Sequence, residues 1–286
     1  MKRYLRTILT TIIILLSALL LQAHAQQTLR VISYNILEGM KTDTTKGKQL
    51  FVSWVKEKDP DVLALQECNK FTQKTLEELA QSYGHPYAVI VKESGYPVGL
   101  TSKYPIINVQ KVNDNMTHGF IRARIENYNI VVLHLNPHRY VKRREEISVI
   151  LKTIAAESDQ SRWLIMGDFN AHSPLDKERF KNGNLVAHQK TMAEKHPHIQ
   201  NLVNGEQIDF MVQQRMLDAG FVDAAFRHDE ATRAQTGKGV IVSNSRIDFI
   251  YVSKDLGKKL VYCGNIYDDF TKRHSDHTPV YIELKK

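Results

Sequence analysis

A chain of 286 residues, 42% hydrophobic, with a formal net charge of +8 and two cysteines, has enough apolar material for a substantial core. It has too few cysteines for a disulfide-stapled fold. The basic balance suits an anionic partner as readily as it suits simple solubility.

Lys2, Arg3 and Arg6 precede an apolar run at 8–21, and Ala23-His24-Ala25 follows it. Charge, apolar stretch and small-x-small site in that order predict a secretory signal, 1–25, cleaved near Ala25. The run falls short of the ~20 residues of a membrane span. The remainder, 26–286, is therefore expected to be secreted or periplasmic, with no stable span and a net charge of about +5. No repeat, low-complexity tract or Pro/Gly/Ser-rich linker divides it, so one domain is expected, and a monomer.

Short runs rich in Val, Ile and Tyr come next, at 29–36, 62–66, 87–91, 120–125, 129–136, 163–168, 247–252, 260–266 and 280–284. Their β-branched content and polar borders predict strands. Between them, Leu50, Phe51, Trp54 and Val55 share one helical face, as do Ile147, Ile150, Leu151 and Ile154. Helical patterns are also expected at 70–83 and 211–219. Many strands with a few interspersed helices predict an α+β fold of two packed sheets flanked by helices. The stretch 171–207 is polar, contains His172, His188, His196 and His198, and lacks a strand or helix period. Those histidine spacings match no standard zinc pattern, and the stretch reads as a surface loop, with a lid over a pocket as the functional alternative. Cys68 and Cys263 could be joined or stay apart as buried thiols.

Polar residues cluster where these strands begin and end: Ser33-Tyr34-Asn35, Gln66-Glu67, His134, Gly167-Asp168-Phe169-Asn170, Arg246-Ile247-Asp248 and Ser275-Asp276-His277. Taken singly, each is ordinary. Gly, Asp and Asn favour turns, and a lone His134 fits a hydrogen-bonded structural role. Gathered along one edge of a sandwich, the carboxylates of Glu67, Asp168 and Asp276 would repel one another unless a cation lay among them. Oxygen donors without cysteine favour a hard ion, Mg²⁺ first and then Mn²⁺ or Ca²⁺.

The ordered set SYNI at 33–36, LQE at 65–67, the strand ending in His134, GDFN at 167–170, RIDFI at 246–250 and SDHTPV at 275–280 resembles the endonuclease/exonuclease/phosphatase superfamily. The chain is similar to a secreted bacterial-type member with the deoxyribonuclease-I-like fold. That resemblance implies a four-layer α/β/β/α sandwich and a Mg²⁺-dependent phosphohydrolase. It implies that Glu67, with Asn35 nearby, holds the metal and that Asp276 adds charge beside it. Asp168 and Asn170 would orient the attacking water. His277, paired with Asp248, would act as acid/base or donor to the phosphoryl oxygens, and His134 would contact another of them. One departure stands out. Many relatives carry an Arg where this chain has His118, and the nearest Arg is Arg122, on a strand whose same face carries Arg124. His118 and Arg122 are thus the candidates for the distal phosphate contact.

The resemblance implies a phosphate-ester substrate: a small diester, a nucleic acid or a lipid headgroup. A phosphodiesterase leads, and a secreted nuclease acting on DNA or RNA is the alternative. A phosphomonoesterase, a sphingomyelinase-like lipid phosphodiesterase and a non-catalytic binding module follow. Basic clusters at 138–144 and 254–259 read as solvated faces, with few aromatics interleaved for base stacking. No apolar hairpin for a membrane stands between Asn265 and His274.

Overall fold

The computed structural model of the protein describes residues 28–241 and 245–286; the expected leader at 1–25 lies outside them. Two six-stranded sheets face each other. One consists of β1 (Thr28–Asn35), β2 (Val62–Gln66), β3 (Tyr87–Ile90), β4 (Gly99–Ser102), β13 (Leu260–Asn265) and β14 (Val280–Lys285), in the order β13-β14-β1-β2-β4-β3. The other consists of β5 (Ile106–Val112), β6 (Phe120–Ile125), β7 (Tyr128–His134), β8 (Trp163–Asp168), β11 (Val222–Asp223) and β12 (Asp248–Val252), in the order β11-β12-β8-β7-β6-β5. A small hairpin, β9 (Leu202–Val203) and β10 (Gln207–Ile208), stands apart.

The α-helices longer than four residues are α1 (Gln49–Lys58), α2 (Gln73–Ser82), α3 (Tyr140–Ala155), α4 (Asn184–Lys195), α5 (Met211–Asp218), α6 (Ala224–Thr236) and α7 (Asp269–His274), among the described residues. The parallel neighbours are β1 with β2 and β7 with β8. Parallel pairing needs a crossover, and α1 and α3 supply the two. Ile32, Tyr34, Leu63 and Leu65 on the outer face of the first sheet pack under Phe51, Trp54 and Leu76. Val131, Leu133, Trp163 and Ile165 on the outer face of the second pack under Ile147, Ile150 and Met216. Both sheets are covered on both faces, so their central strands read as near-continuous apolar runs. This is the α/β/β/α sandwich expected from the sequence, each fully buried aliphatic side chain contributing roughly 1.5–3 kcal/mol.

Alternation along the strands decides what reaches the upper edge. Leu29 and Val31 of β1, Ile130 and Val132 of β7, Leu164 and Met166 of β8, and Ile250 and Val252 of β12 all point between the sheets. Continuing each series in steps of two places Asn35 (after Ser33), His134, Asp168 and Asp248 on that inner face, at the same edge.

The 171–207 stretch is not an irregular loop. It forms a 3₁₀ segment at Pro174–Phe180, then α4 and the start of the β9–β10 hairpin. No residue of α4 is buried, so it offers no apolar period to read. The sequence carries no periodic signal for α6, whose buried residues are Ala224, Ala225 and Asp229. Nor did it show β5, an edge strand largely open to solvent. Cys68 and Cys263 are unbonded and buried in different apolar clusters.

Candidate active site

The last residues of β7 and β8 and the first of β12 fall into one row. His134 pairs in register with Asp168, and Asp168 with Asp248. That closeness depends on Gly167, whose φ is 145° and whose added Cβ would lie 1.9 Å from the Leu133 carbonyl oxygen. No side chain fits there.

Across the gap, β1 delivers Asn35. Its Nδ2 donates to Glu67 Oε1 and to Asp168 Oδ2, each at 3.1 Å, and so bridges the two sheets. Its Oδ1 accepts from Leu37 N–H at 3.2 Å. Glu67 leaves β2 with a left-handed φ of 59°. That turn swings its carboxylate into the cleft, where Glu38 N–H donates to Oε2 at 2.8 Å.

His277 sits on the far side. Its Nδ1 is 2.7 Å from Asp248 Oδ2, and its Nε2 is 3.8 Å from Asp168 Oδ2. Ser275 fixes this loop: its hydroxyl donates to the Asn35 carbonyl at 2.8 Å and accepts His277 N–H at 3.0 Å. Burial alone would lower the His277 imidazole, but Asp248, then Asp168 and Asp276, outweigh it and push the ring up to about 10. Asp168 is fully buried. Burial first, and Asp248 second, raise its carboxyl, against the opposing pull of His277 and the hydrogen bonds from Asn170 and Asn35. A carboxylate on one imidazole nitrogen fixes the tautomer and stabilises the charged ring.

His134 Nε2 lies 3.6 Å from Asp168 Oδ2. Burial, with His118 and His277 close by, lowers His134 well below the usual imidazole range, so the ring is neutral. His118 stacks on it with centroids 4.3 Å apart, and burial, with Lys92 and His138, lowers His118 to about 4. Asn170, at φ 49°, donates its backbone N–H to Asp168 Oδ1 at 2.8 Å and its Nδ2 to the Leu135 carbonyl at 3.1 Å. Asp276 is exposed and lines the mouth of a cleft of about 360 Å³ together with Asp248, His277, Asn265 and Tyr267.

The structure thus gathers Asn35, Glu67, His134, Asp168, Asn170, Asp248, Asp276 and His277 at one edge, with His118 behind His134. Arg122 is elsewhere. It points to the outer face of its sheet, where its guanidinium pairs with Glu157 and donates to the Asn108 carbonyl at 3.3 Å. Its register partner on β7 is Val131, three residues short of His134. Arg122 therefore cannot make the phosphate contact expected of it from the sequence.

Sequence reasoning missed Glu146, a fully buried carboxylate on α3. It accepts Thr117 N–H at 2.7 Å, the Thr117 hydroxyl at 2.5 Å and Asn136 N–H at 2.7 Å. It thereby ties the loop that carries His118 to the segment that follows His134. A charged residue among the apolar positions of α3 is the signal that could have found it.

Asp168, Asp248 and His277 each offer a ligand atom within 4.8 Å of the others, a grouping that could hold a metal ion. The remaining cleft donors, Glu67, Asn35 and Asp276, also offer oxygen. The one thiol next to Glu67, Cys68, is turned into the apolar cluster beneath α2. Such a donor set fits a hard divalent cation.

A family model described as the Endonuclease/Exonuclease/phosphatase family matches residues 32–277. No curated protein matches the chain. Among solved structures, the chain is similar to an AP endonuclease from Archaeoglobus fulgidus (18% identity, TM-score 0.61, covering 90% of this chain and 100% of that one). It is also similar to a 3′-5′ exonuclease from Neisseria meningitidis (18% identity, TM-score 0.62, 90% and 100%). A third is a Neisseria 3′ phosphatase bound to a product DNA hairpin (17% identity, TM-score 0.61, 90% and 99%). At these identities the likeness is one of fold.

Proposed function

The chain belongs to the endonuclease/exonuclease/phosphatase family, whose members act on phosphoester bonds, and from that premise we propose a secreted, Mg²⁺-dependent phosphodiesterase. The observation that carries the reading is the line of contacts from Glu67 through Asn35 to Asp168 and on to the His277–Asp248 pair.

Glu67, with Asn35 and Asp276, is the proposed seat of the cation. The alternative grouping around Asp248 and His277 has two of its atoms 2.7 Å apart, sharing a proton. When bound there, Mg²⁺ neutralises the phosphoryl oxygens that would otherwise repel an attacking water.

The chain's own groups do the rest. Asp168, held at both oxygens by Asn170 N–H and Asn35 Nδ2, orients a water against phosphorus and accepts its proton. Its raised pKa makes it a better base than an exposed carboxylate. As the new P–O bond forms and the P–O bond to the leaving group breaks, the His277 imidazolium gives its Nε2 proton to the departing oxygen. Asp248 holds the ring in place throughout. Neutral His134 donates to a non-bridging oxygen, and His118, stacked behind it, keeps that ring in plane. Residues 26–286 are read as one domain, active as a monomer after cleavage near Ala25.

A nuclease is the second reading. A cleft of about 460 Å³ on the Glu67 side is bordered by Lys41, Lys48, Lys70 and Phe71, groups suited to a phosphate backbone and a base. Purified protein incubated with bis(p-nitrophenyl) phosphate, plasmid DNA and RNA, in Mg²⁺ and in EDTA, separates the two. The first reading expects Mg²⁺-dependent cleavage of the small diester at least comparable with that of DNA or RNA. Much faster cleavage of DNA or RNA selects the nuclease, and no cleavage of any of the three overturns both.

A further inference from the structure

The cluster at 138–144, expected to be a solvated basic face, is only partly so. Arg143 is 3% exposed and makes no ion pair among the described residues. Its Nη1 donates to the Asn136 carbonyl at 3.0 Å and to Asn201 Oδ1 at 2.8 Å, while its buried Nε–H has no partner. The carboxylates nearby are committed. Asp209 is held by both Arg144 Nε and Arg144 Nη2, Glu146 by Thr117 and Asn136, and Asp168 by Asn35 and Asn170. Asp209, Asp168 and Glu146 are close enough to act on the charge of Arg143 but are bonded to other groups, so a guanidinium removed from water keeps a spare donor that calls for an acceptor in the space beside it.

Beside it lies a cavity of about 30 Å³ lined by Arg143, Asn170, His172, Gln189, Asn201 and Asp209. That exceeds the roughly 10–15 Å³ that one water needs. Asn170 forms the wall between this cavity and Asp168, since its backbone N–H is bonded to the catalytic carboxylate. The cover is α4, whose residues are half-buried or exposed and whose Gln189 accepts from Asn201 Nδ2 at 3.3 Å.

We propose that this cavity is an oxyanion subsite, in which Arg143, aided by the amides of Asn201 and Gln189, takes a second phosphate of a substrate that carries one beside the scissile ester. The identity of that substrate rests on the phosphodiesterase reading; anion binding by Arg143 does not require turnover. Arg suits the task because its planar fork gives paired, charge-assisted hydrogen bonds to phosphate oxygens.

The test is calorimetric titration of the full chain with inorganic phosphate in EDTA, for wild type, Arg143→Gln, Gln189→Glu and His277→Ala. Gln189→Glu sets a carboxylate across the cavity from the guanidinium and serves if Arg143→Gln fails to fold. The expectation is that both cavity variants weaken phosphate binding by ~10-fold or more, the loss of a charge-assisted pair, while His277→Ala keeps a phosphate site. A matched pair of thymidine p-nitrophenyl phosphodiesters, with and without a 3′-phosphate, then shows whether the anion can be the substrate's own. The KM advantage of the 3′-phosphate should shrink in the cavity variants. Phosphate affinity unchanged in both cavity variants, or lost only in His277→Ala, overturns the proposal and leaves the cavity to water. Failure of every ester to be cleaved overturns the phosphodiesterase reading without touching the calorimetric result.

Discussion

His277 and Asp248 set the protonation state of the site. With its ring pushed up to about 10 by Asp248, His277 is an imidazolium through neutral pH, and activity that needs it falls as pH rises through about 10. Removing the Asp248 charge leaves burial as the dominant influence, which lowers the ring. The pH–rate profile of Asp248→Asn should therefore lose its alkaline limb at a much lower pH than wild type, with kcat down by ~10²-fold or more; an unmoved limb contradicts the pairing. Glu146 is a residue-scale test of a different kind. Burial raises its carboxyl, partly offset by the Thr117 and Asn136 hydrogen bonds. Glu146→Gln presents an amide N–H to donors, which should cost about 1–3 kcal/mol in urea denaturation and lower kcat by loosening His118 and His134. An unaltered kcat would remove Glu146 from the account of the site.

At the scale of the element, α7 shows how a short helix is held beside the site. Its N-cap, Asp268, accepts Thr271 N–H at 2.9 Å and Trp54 Nε1–H at 2.9 Å, and Lys58 Nζ lies 3.0 Å away. Burial would raise the Asp268 carboxyl, but these partners outweigh it and hold it down at about 2. A depressed carboxyl contributes stability above its unfolded value of ~3.9, which is lost as pH falls through about 2. Asp268→Ala should destabilise the fold by about 1–2 kcal/mol near neutrality, the worth of an N-cap, and should flatten the acid limb of the stability profile. Thermal melts from pH 2 to 7 check both.

The same scale explains what could be read in advance. Most strands buried on both faces announce themselves by apolar runs, so β1, β2, β7, β8 and β12 were legible, and their period-2 alternation foretold which polar residues share an edge; β4, equally buried, was not, because four residues reading Gly-Leu-Thr-Ser carry too little apolar signal. Elements held by polar contacts were not. Asp229 anchors α6 through Val240, Ile241 and Arg233, partners that carry no periodic signal. Arg122 misled because alternation places a side chain on a face without saying which face is outward. His118 was found by its position in the motif, but nothing in the sequence could show that it stacks on His134.

For the whole molecule, the division into two covered sheets makes the upper edge the place where inward-facing polar residues meet open cleft. Among the described residues no helix is long and apolar enough to cross a membrane. If the cation sits on the Glu67 side, Mn²⁺ should bind the intact protein, and Glu67→Gln should weaken that binding by at least ~10-fold, since a charged oxygen ligand is lost. Titration followed by electron paramagnetic resonance reads this directly; equal affinity in the variant would move the metal elsewhere.

The proposed mechanism places His277 in the chemical step of a metal-dependent phosphoester cleavage. Its most direct test is single-turnover hydrolysis of bis(p-nitrophenyl) phosphate by wild type and His277→Ala, each freed of metal and then given Mg²⁺, with circular dichroism confirming the fold. Cleavage is expected only after Mg²⁺ is restored, at a rate in the variant lower by more than ~10²-fold. Near-normal cleavage by a folded His277→Ala, or cleavage by wild type that persists in EDTA, would contradict it.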